Sequence, residues 1–171
     1  MPIRDYPFVG IHAGGGFTIH GKNPSPRLWI RVENPQTGIS TDTTAIVDTG
    51  ASTCLFPLAC ATMLGYDMSS GPTVSIGTAG GNGVGHAFVT RVSILGILPD
   101  GQASKGKVLR VIGNIQVVYA KDCNEFLLGQ DSFLNKFILV INYPEKKFSL
   151  RLPELYTTGA PKAKRSRHGV H

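Results

Sequence analysis

Apolar and polar positions alternate over Arg27–Glu33, where Leu28, Ile30 and Val32 are separated by Trp29, Arg31 and Glu33. A period of two is that of a strand with one face buried. Asn34-Pro35-Gln36-Thr37-Gly38 then collects turn formers, and Thr43-Thr44-Ala45-Ile46-Val47 reads as a returning strand, so the two runs predict a hairpin. Leu58 to Leu64 places Leu and Ala at helical spacing after Pro57 and stops at Gly65, which predicts one short helix. Val74 and Ile76 on one arm, with Ala87-Phe88-Val89 and Val92 to Ile97 on the other, predict a second hairpin with a glycine-rich apex.

Further along, Pro99–Gly106 reads as a loop, and Val108 to Ala120 as strand with a Gly113-Asn114 turn inside it. Phe126 to Phe137 has room for a second short helix, and Phe137–Asn142 and Lys147–Leu152 flank the turn Tyr143-Pro144-Glu145-Lys146. Residues 1–26, with Gly14-Gly15-Gly16 and prolines at 2, 7, 24 and 26, read as an irregular N-terminal extension holding one short strand. Trp29 and the phenylalanines read as core. Short strands at regular spacing, two brief helices and no internal repeat predict a compact, mostly β barrel or sandwich over residues 27–156. Residues 157–171, without an apolar anchor after Tyr156, are expected to be a disordered basic tail.

Composition narrows the class. A length of 171 residues gives one domain with a sizeable core, and 42% apolar against 16% charged residues excludes disorder for the bulk. The longest strongly apolar run, Phe137–Ile141, is far short of the roughly 20 residues that cross a bilayer, so no membrane partner is expected. Met1–Pro7 lacks the apolar centre of a signal peptide. Cys54, Cys60 and Cys123 form neither a Cys-x-x-Cys nor an even disulfide framework, and Cys54 and Cys60, flanking Leu55-Phe56, read as small buried hydrophobes. A soluble, reduced, cytoplasmic protein without metal or cofactor is the expectation, and the initiating Met1 suggests that the chain stands alone. Of the net charge of +6, Lys162, Lys164, Arg165 and Arg167 supply four, leaving an unremarkable body. The tail alone would attract nucleic acid electrostatically, and it has no aromatic on which a base would stack, so nucleic acid is not an expected partner of the folded part.

The chemistry concentrates in Ala45-Ile46-Val47-Asp48-Thr49-Gly50-Ala51-Ser52. An apolar strand runs straight into an acid, and an ionised carboxylate there is costly unless it is hydrogen-bonded. The turn supplies what it needs: Gly50 and Ala51 can aim backbone N–H groups at it, and Thr49 adds a hydroxyl. The plain alternative is a turn in which Asp48 caps its own backbone. Downstream, Phe126-Leu127-Leu128-Gly129-Gln130-Asp131 feeds bulky apolar residues into a glycine ahead of the predicted short helix. Between the two lies Thr73–Phe88, with glycines at 77, 80, 81, 83 and 85 and Asn82-Gly83 as a good tight-turn pair. So many glycines weaken an ordinary core strand, which leaves a mobile or closely approached ribbon, or simply a flexible surface loop.

Asp48-Thr49-Gly50-Ala51-Ser52, the downstream Leu127-Leu128-Gly129 and the glycine-rich hairpin together resemble the retropepsin-like aspartic proteases over residues 27–152. The resemblance implies a closed β-barrel with a flap hairpin and an aspartic endopeptidase activity on extended polypeptide segments. It makes Asp48 catalytic with Thr49 and Gly50 positioning it, and lines the groove with Ala51, Ser52 and the flap apex Thr78, Ala79, Gly80 and Gly81. Such hydrolysis uses two carboxylates sharing one proton, whose titration splits because like charges so close cannot both ionise, an established property of aspartic proteases. This chain has one Asp-Thr-Gly; Asp42-Thr43-Thr44 lacks the glycine and Asp131 falls in the predicted helix. The second carboxylate must then be Asp48 of another copy, and a homodimer follows, with Thr49 of each copy bonding across the two-fold axis. Viral members usually carry a further Asp where Ser52 stands, which alters the grip on substrate backbone. The rival reading is a non-catalytic dimeric module that keeps the fold and binds peptides by strand addition.

Two near-motifs carry nothing. Gly16 to Asn23 resembles a phosphate loop but lacks the Ser or Thr after Lys22, and Pro24 and Pro26 block the helix it needs. Gly50-Ala51-Ser52-Thr53-Cys54 lacks the closing glycine of a serine nucleophile elbow.

Overall fold

The computed structural model describes residues 2–78, 81–99 and 102–153. Seven of its strands form one sheet: β5 (Arg27–Glu33), β6 (Ser40–Val47), β7 (Cys54–Pro57), β8 (Thr73–Thr78), β9 (Gly81–Ile97), β10 (Ala103–Ala120) and β11 (Leu127–Leu128). Their order is β10-β7-β11-β6-β5-β9-β8, and β9 also pairs with β10, so six of them close on themselves and β8 stands off as the free arm of a hairpin. Closure removes the exposed edges that an open sheet of this size would leave. The fold is that expected from the strand pattern: mostly β and barrel-like.

The predicted alternation holds in β5, where Leu28, Ile30 and Val32 are buried inside the barrel and pair across to β6. The side chain of Asn34 opens the connecting turn, accepting from the Gln36 amide at 3.0 Å and donating to the Leu64 carbonyl at 3.0 Å. That second bond ties the turn to the end of α1 (Leu58–Met63), the predicted short helix. The barrel centre is filled by Phe56, Val92, Ile94, Val117, Tyr119, Leu128 and Phe133, all essentially without solvent contact.

Residues 2–25 are not an irregular lead-in. They form β1 (Pro2–Pro7), β2 (Val9–Ile11), β3 (Phe17–Thr18) and β4 (Lys22–Ser25), the last three making a small sheet in the order β3-β2-β4. β1 joins β12 (Ile138–Asn142) and β13 (Lys147–Arg151) in a third sheet, order β1-β13-β12, where Tyr6 stacks on Phe148 at 5.3 Å between ring centres. Proline at strand ends and edges is tolerated because only the donor it lacks goes unpaired, which is why the prolines misled. Trp29 is half-buried rather than core, meeting Phe17 of β3 edge-on at 6.4 Å.

Three other expectations need correction. β9 and β10 are long and continuous: Gly113, at φ +100°, sits where the pairing register slips rather than in a turn, and β10 resumes at Ala103, inside the predicted loop. A β-bulge absorbs an extra residue without breaking the ladder, so a Gly-Asn pair inside a β-branched run does not reverse the chain. The second predicted helix is only a 3₁₀ turn over Leu134–Lys136. The tail, 157–171, lies outside the described residues. Among the described residues no helix is long and apolar enough to cross a membrane.

Candidate active site

β6 delivers Asp48 to the end of a buried strand. Ala45 and Val47 are buried, Asp48 is half-buried, and Thr49 and Gly50 are exposed, so the polarity changes within two residues. β11 is inserted between β6, to which it is parallel, and β7, to which it is antiparallel. The Asp48 amide donates to the Leu128 carbonyl at 3.1 Å and that of Ile46 to the Phe126 carbonyl at 2.8 Å. The same segment then catches the far side of the loop. The Gln130 amide donates to the Ala51 carbonyl at 2.9 Å, the Asp131 amide to the Ser52 carbonyl at 2.8 Å, and the Gln130 side-chain amide to the Thr49 carbonyl.

Residues 46–52 are thus laced to residues 126–131 from both ends, by four backbone bonds and the Gln130 side chain. Of the two amides expected to face the carboxylate, Gly50 does, donating to Asp48 Oδ1 at 2.8 Å; the Ala51 amide makes no hydrogen bond to it. This bond satisfies one lone pair of one oxygen. The carboxylate keeps the remaining acceptor positions, a state of readiness for a water or a second acid.

Arg27, buried at the start of β5, supports the segment from outside. Its guanidinium grips both oxygens of Glu125, at 2.9 and 3.0 Å, and lies over the Phe17 ring at 4.6 Å. One residue of β3 and one of the run into β11 are pinned by a single side chain whose fork matches a carboxylate. Neither Arg27 nor Glu125 was a candidate, because a sequence shows charges but not their pairing across 98 positions.

The glycine-rich hairpin is β8 with the first part of β9. Gly77 pairs with Asn82 and Thr78 with Gly81, so Asn82-Gly83 lies inside β9, not in the turn. Thr78 and Gly81 flank the apex; Ala79 and Gly80 lie outside the described residues. Gly85 explains one glycine: a Cβ there would stand 2.5 Å from Val118 Cγ1 and 2.9 Å from the Tyr119 carbonyl oxygen, so β9 and β10 come together only without it. At the hairpin base the Tyr66 and Phe88 rings stack at 4.6 Å, and the Tyr66 hydroxyl is bonded to Thr90 and to the Val89 carbonyl.

Beneath the hairpin is a cavity of about 330 Å³, walled by Leu55, Ile76, Val84, Ala120 and Cys123 with Asp122 among them. The Cys123 thiol is buried in that wall and donates to the Glu125 carbonyl at 2.8 Å. On the opposite side of the loop a shallower concavity brings Thr49 together with Gln130, Leu134 and Leu139. Cys54 and Cys60 are buried and unbridged as expected, and burial pushes both thiols up to about 11. Among the described residues no three His, Cys, Asp or Glu side chains come together as a metal-ligand set.

Comparison with known proteins agrees with this geometry. A family model described as aspartyl protease matches residues 36–132, which include the Asp48 loop, the hairpin and the Leu127-Leu128-Gly129 segment. The crystal structure of a retropepsin-like aspartic protease from Rickettsia conorii shares the fold, with a TM-score of 0.51 at 20% sequence identity over 86% of this chain and 90% of that one. No curated protein matches the chain.

Proposed function

The chain belongs to the aspartyl protease family and has the retropepsin-like fold, and on that premise we propose that it is an endopeptidase whose catalytic pair is Asp48 from each of two identical copies. The observation that carries this reading is the half-buried Asp48 carboxylate, bonded on one oxygen to Gly50 and otherwise open, at the mouth of a loop that the fold holds rigidly. One such carboxylate per chain makes half of a two-carboxyl site. The exposed Thr49 supports a two-fold partner, as does the outer edge of β12, to which no strand pairs among the described residues. That edge carries Ile138 and Val140 half exposed and has no charge, proline or bulge to discourage a second copy from pairing with it.

In this mechanism the two Asp48 carboxyls hold one proton between them. The ionised member takes a proton from a water, and the water oxygen attacks the peptide carbonyl carbon. The protonated member gives its proton to the carbonyl oxygen, so the tetrahedral intermediate is neutral overall. On collapse the newly protonated member gives its proton to the amide nitrogen as the C–N bond breaks, and the other member takes one from a hydroxyl of the intermediate, so the pair again holds a single proton. In this reading Ala51, Ser52, Thr78, Ala79, Gly80 and Gly81 would contact an extended substrate, whose backbone the hairpin would pair with as a strand. Ser52 is uncharged and both donates and accepts, so it supplies a weaker backbone anchor than a carboxylate.

Asp48→Asn is the direct test. Digestion of an unstructured protein at mildly acidic pH should vanish while sedimentation and thermal unfolding stay those of the wild type. Undiminished digestion by the variant would overturn the mechanism. Peptide binding without cleavage by the wild-type protein would instead favour the non-catalytic module.

A further inference from the structure

The cavity beneath the hairpin mixes apolar walls with one acid. Leu55, Ile76 and Val84 present aliphatic surface, Val84 being more than half exposed, Gly81-Asn82-Gly83 lend backbone and an amide, and the exposed Asp122 completes the lining. Asp122 is the one acid that lines it, and acids elsewhere in the fold are engaged: Glu125 is held by Arg27, Glu33 by Arg91, and Asp42 by Arg31. Asp122 forms no ion pair among the described residues, and its neighbour Lys121 does not line the cavity. A cavity walled in part by aliphatic side chains, with one lining carboxylate that forms no ion pair among the described residues, fits a long side chain with an apolar stem and a cationic head.

The sheet order places this cavity relative to the reacting centre. Leu127 pairs with Ile46 on one side and with Leu55 on the other, so Leu55 lies two strand spacings from the strand that ends in Asp48. Two spacings are about 10 Å, and an extended chain advances about 3.3 Å per residue. A substrate lying across the strand ends would reach the cavity two or three residues from the bond over Asp48. Resting on the protease reading, we propose that Asp122 sets substrate preference: the cavity takes a lysine or arginine side chain two or three residues from the bond that is cut.

Matched peptides with lysine or its uncharged isostere norleucine at that position read this directly. Wild-type protein should cut the lysine peptide with the higher kcat/KM, and Asp122→Asn should lower the lysine-to-norleucine ratio about three- to tenfold, the size of a partly exposed ion pair. Asp122→Lys should turn the preference towards glutamate, and rising salt should shrink the wild-type preference. Asp48→Asn protein, expected to bind without cutting, gives the same ratio as an affinity by fluorescence anisotropy. Hydrolysis with a ratio near one, or a ratio that Asp122→Asn leaves unchanged, would overturn this inference and leave the protease reading intact. A binding preference for lysine without hydrolysis by the wild type would do the reverse.

Discussion

Gly129 lies so close beneath Thr53 that a Cβ built on it would stand 2.2 Å from the Thr53 carbonyl oxygen and 2.9 Å from that of Ala51. Both obstacles are backbone atoms of the segment that carries the Asp48 loop into β7. Neither can rotate away, so any larger residue must push the loop off the segment beneath it. Gly129→Ala is therefore expected to cost about 1–3 kcal/mol or more, as overpacking does in tight cores. It should also abolish digestion at temperatures where the variant is still folded. Thermal unfolding paired with activity well below the transition checks this; a variant with unaltered activity and melting would show that the loop has slack.

That contact marks where sequence reading succeeds and where it stops. The β5–β6 hairpin was legible because Leu28, Ile30 and Val32 alternate cleanly and a turn sequence separates the arms. Asp48-Thr49-Gly50 and Leu127-Leu128-Gly129 stood out because an acid and a glycine at the ends of apolar strands are costly without a reason, and the hydrogen bonds between the segments supply it. Strands β1 to β4 were hidden because their partners are supplied by distant residues such as Phe148, or by very short segments with no period of their own. The expectation of a tight turn at Asn82-Gly83 failed for a related reason: turn propensity is local, while the register Gly77 with Asn82 is fixed by the length of the opposite arm. Asp122 carries no local signal at all, since its setting is made by four separate strands, β7, β8, β9 and β10.

The Arg27–Glu125 pair offers a second measurable consequence. Arg27 is buried, whereas Glu125 is nearly half exposed, so water tempers the cost of breaking the pair. Glu125→Gln should lower stability by about 1–3 kcal/mol, below the figure for a fully buried pair, because the pair is open to solvent on the Glu125 side and Arg27 keeps the Ser25 hydroxyl at 3.0 Å. Arg27→Met combined with Glu125→Gln should cost less than the sum of the two single changes. Urea unfolding of the four proteins gives the coupling, and strict additivity would mean the two side chains stabilise the fold independently.

A two-fold site makes activity depend on concentration. Thr49 is exposed in the single chain, next to Leu139 of β12. In a symmetric dimer any bond it makes across the axis is made twice. Thr49→Ala should accordingly leave the unfolding of the isolated chain nearly unchanged and weaken the dimer about 5- to 100-fold, two ordinary hydrogen bonds' worth. Val140→Lys should weaken it further by placing like charges together on the free edge. Sedimentation equilibrium and specific activity on dilution read both. A dimer indifferent to both changes would put the two-fold contact elsewhere on the surface.

The buried thiols give the stability curve a sign at high pH. Burial raises Cys54 and Cys60 from a usual value of 9.0 to about 11. Between those values the unfolded chain has released protons that the folded chain still holds, so rising pH favours unfolding. Their contribution is fully present below pH 9 and is lost as pH rises through 11. Tyr119, whose hydroxyl burial also pushes up, acts in the same direction from a higher starting point, so the total slope alone does not isolate the thiols. The difference between proteins does: Cys60→Ala should be less stable than wild type at pH 8, for loss of packing, yet lose less stability on going to pH 11. Urea midpoints across that range decide it. Parallel curves would show that the Cys60 thiol titrates in the folded protein as freely as in the unfolded chain.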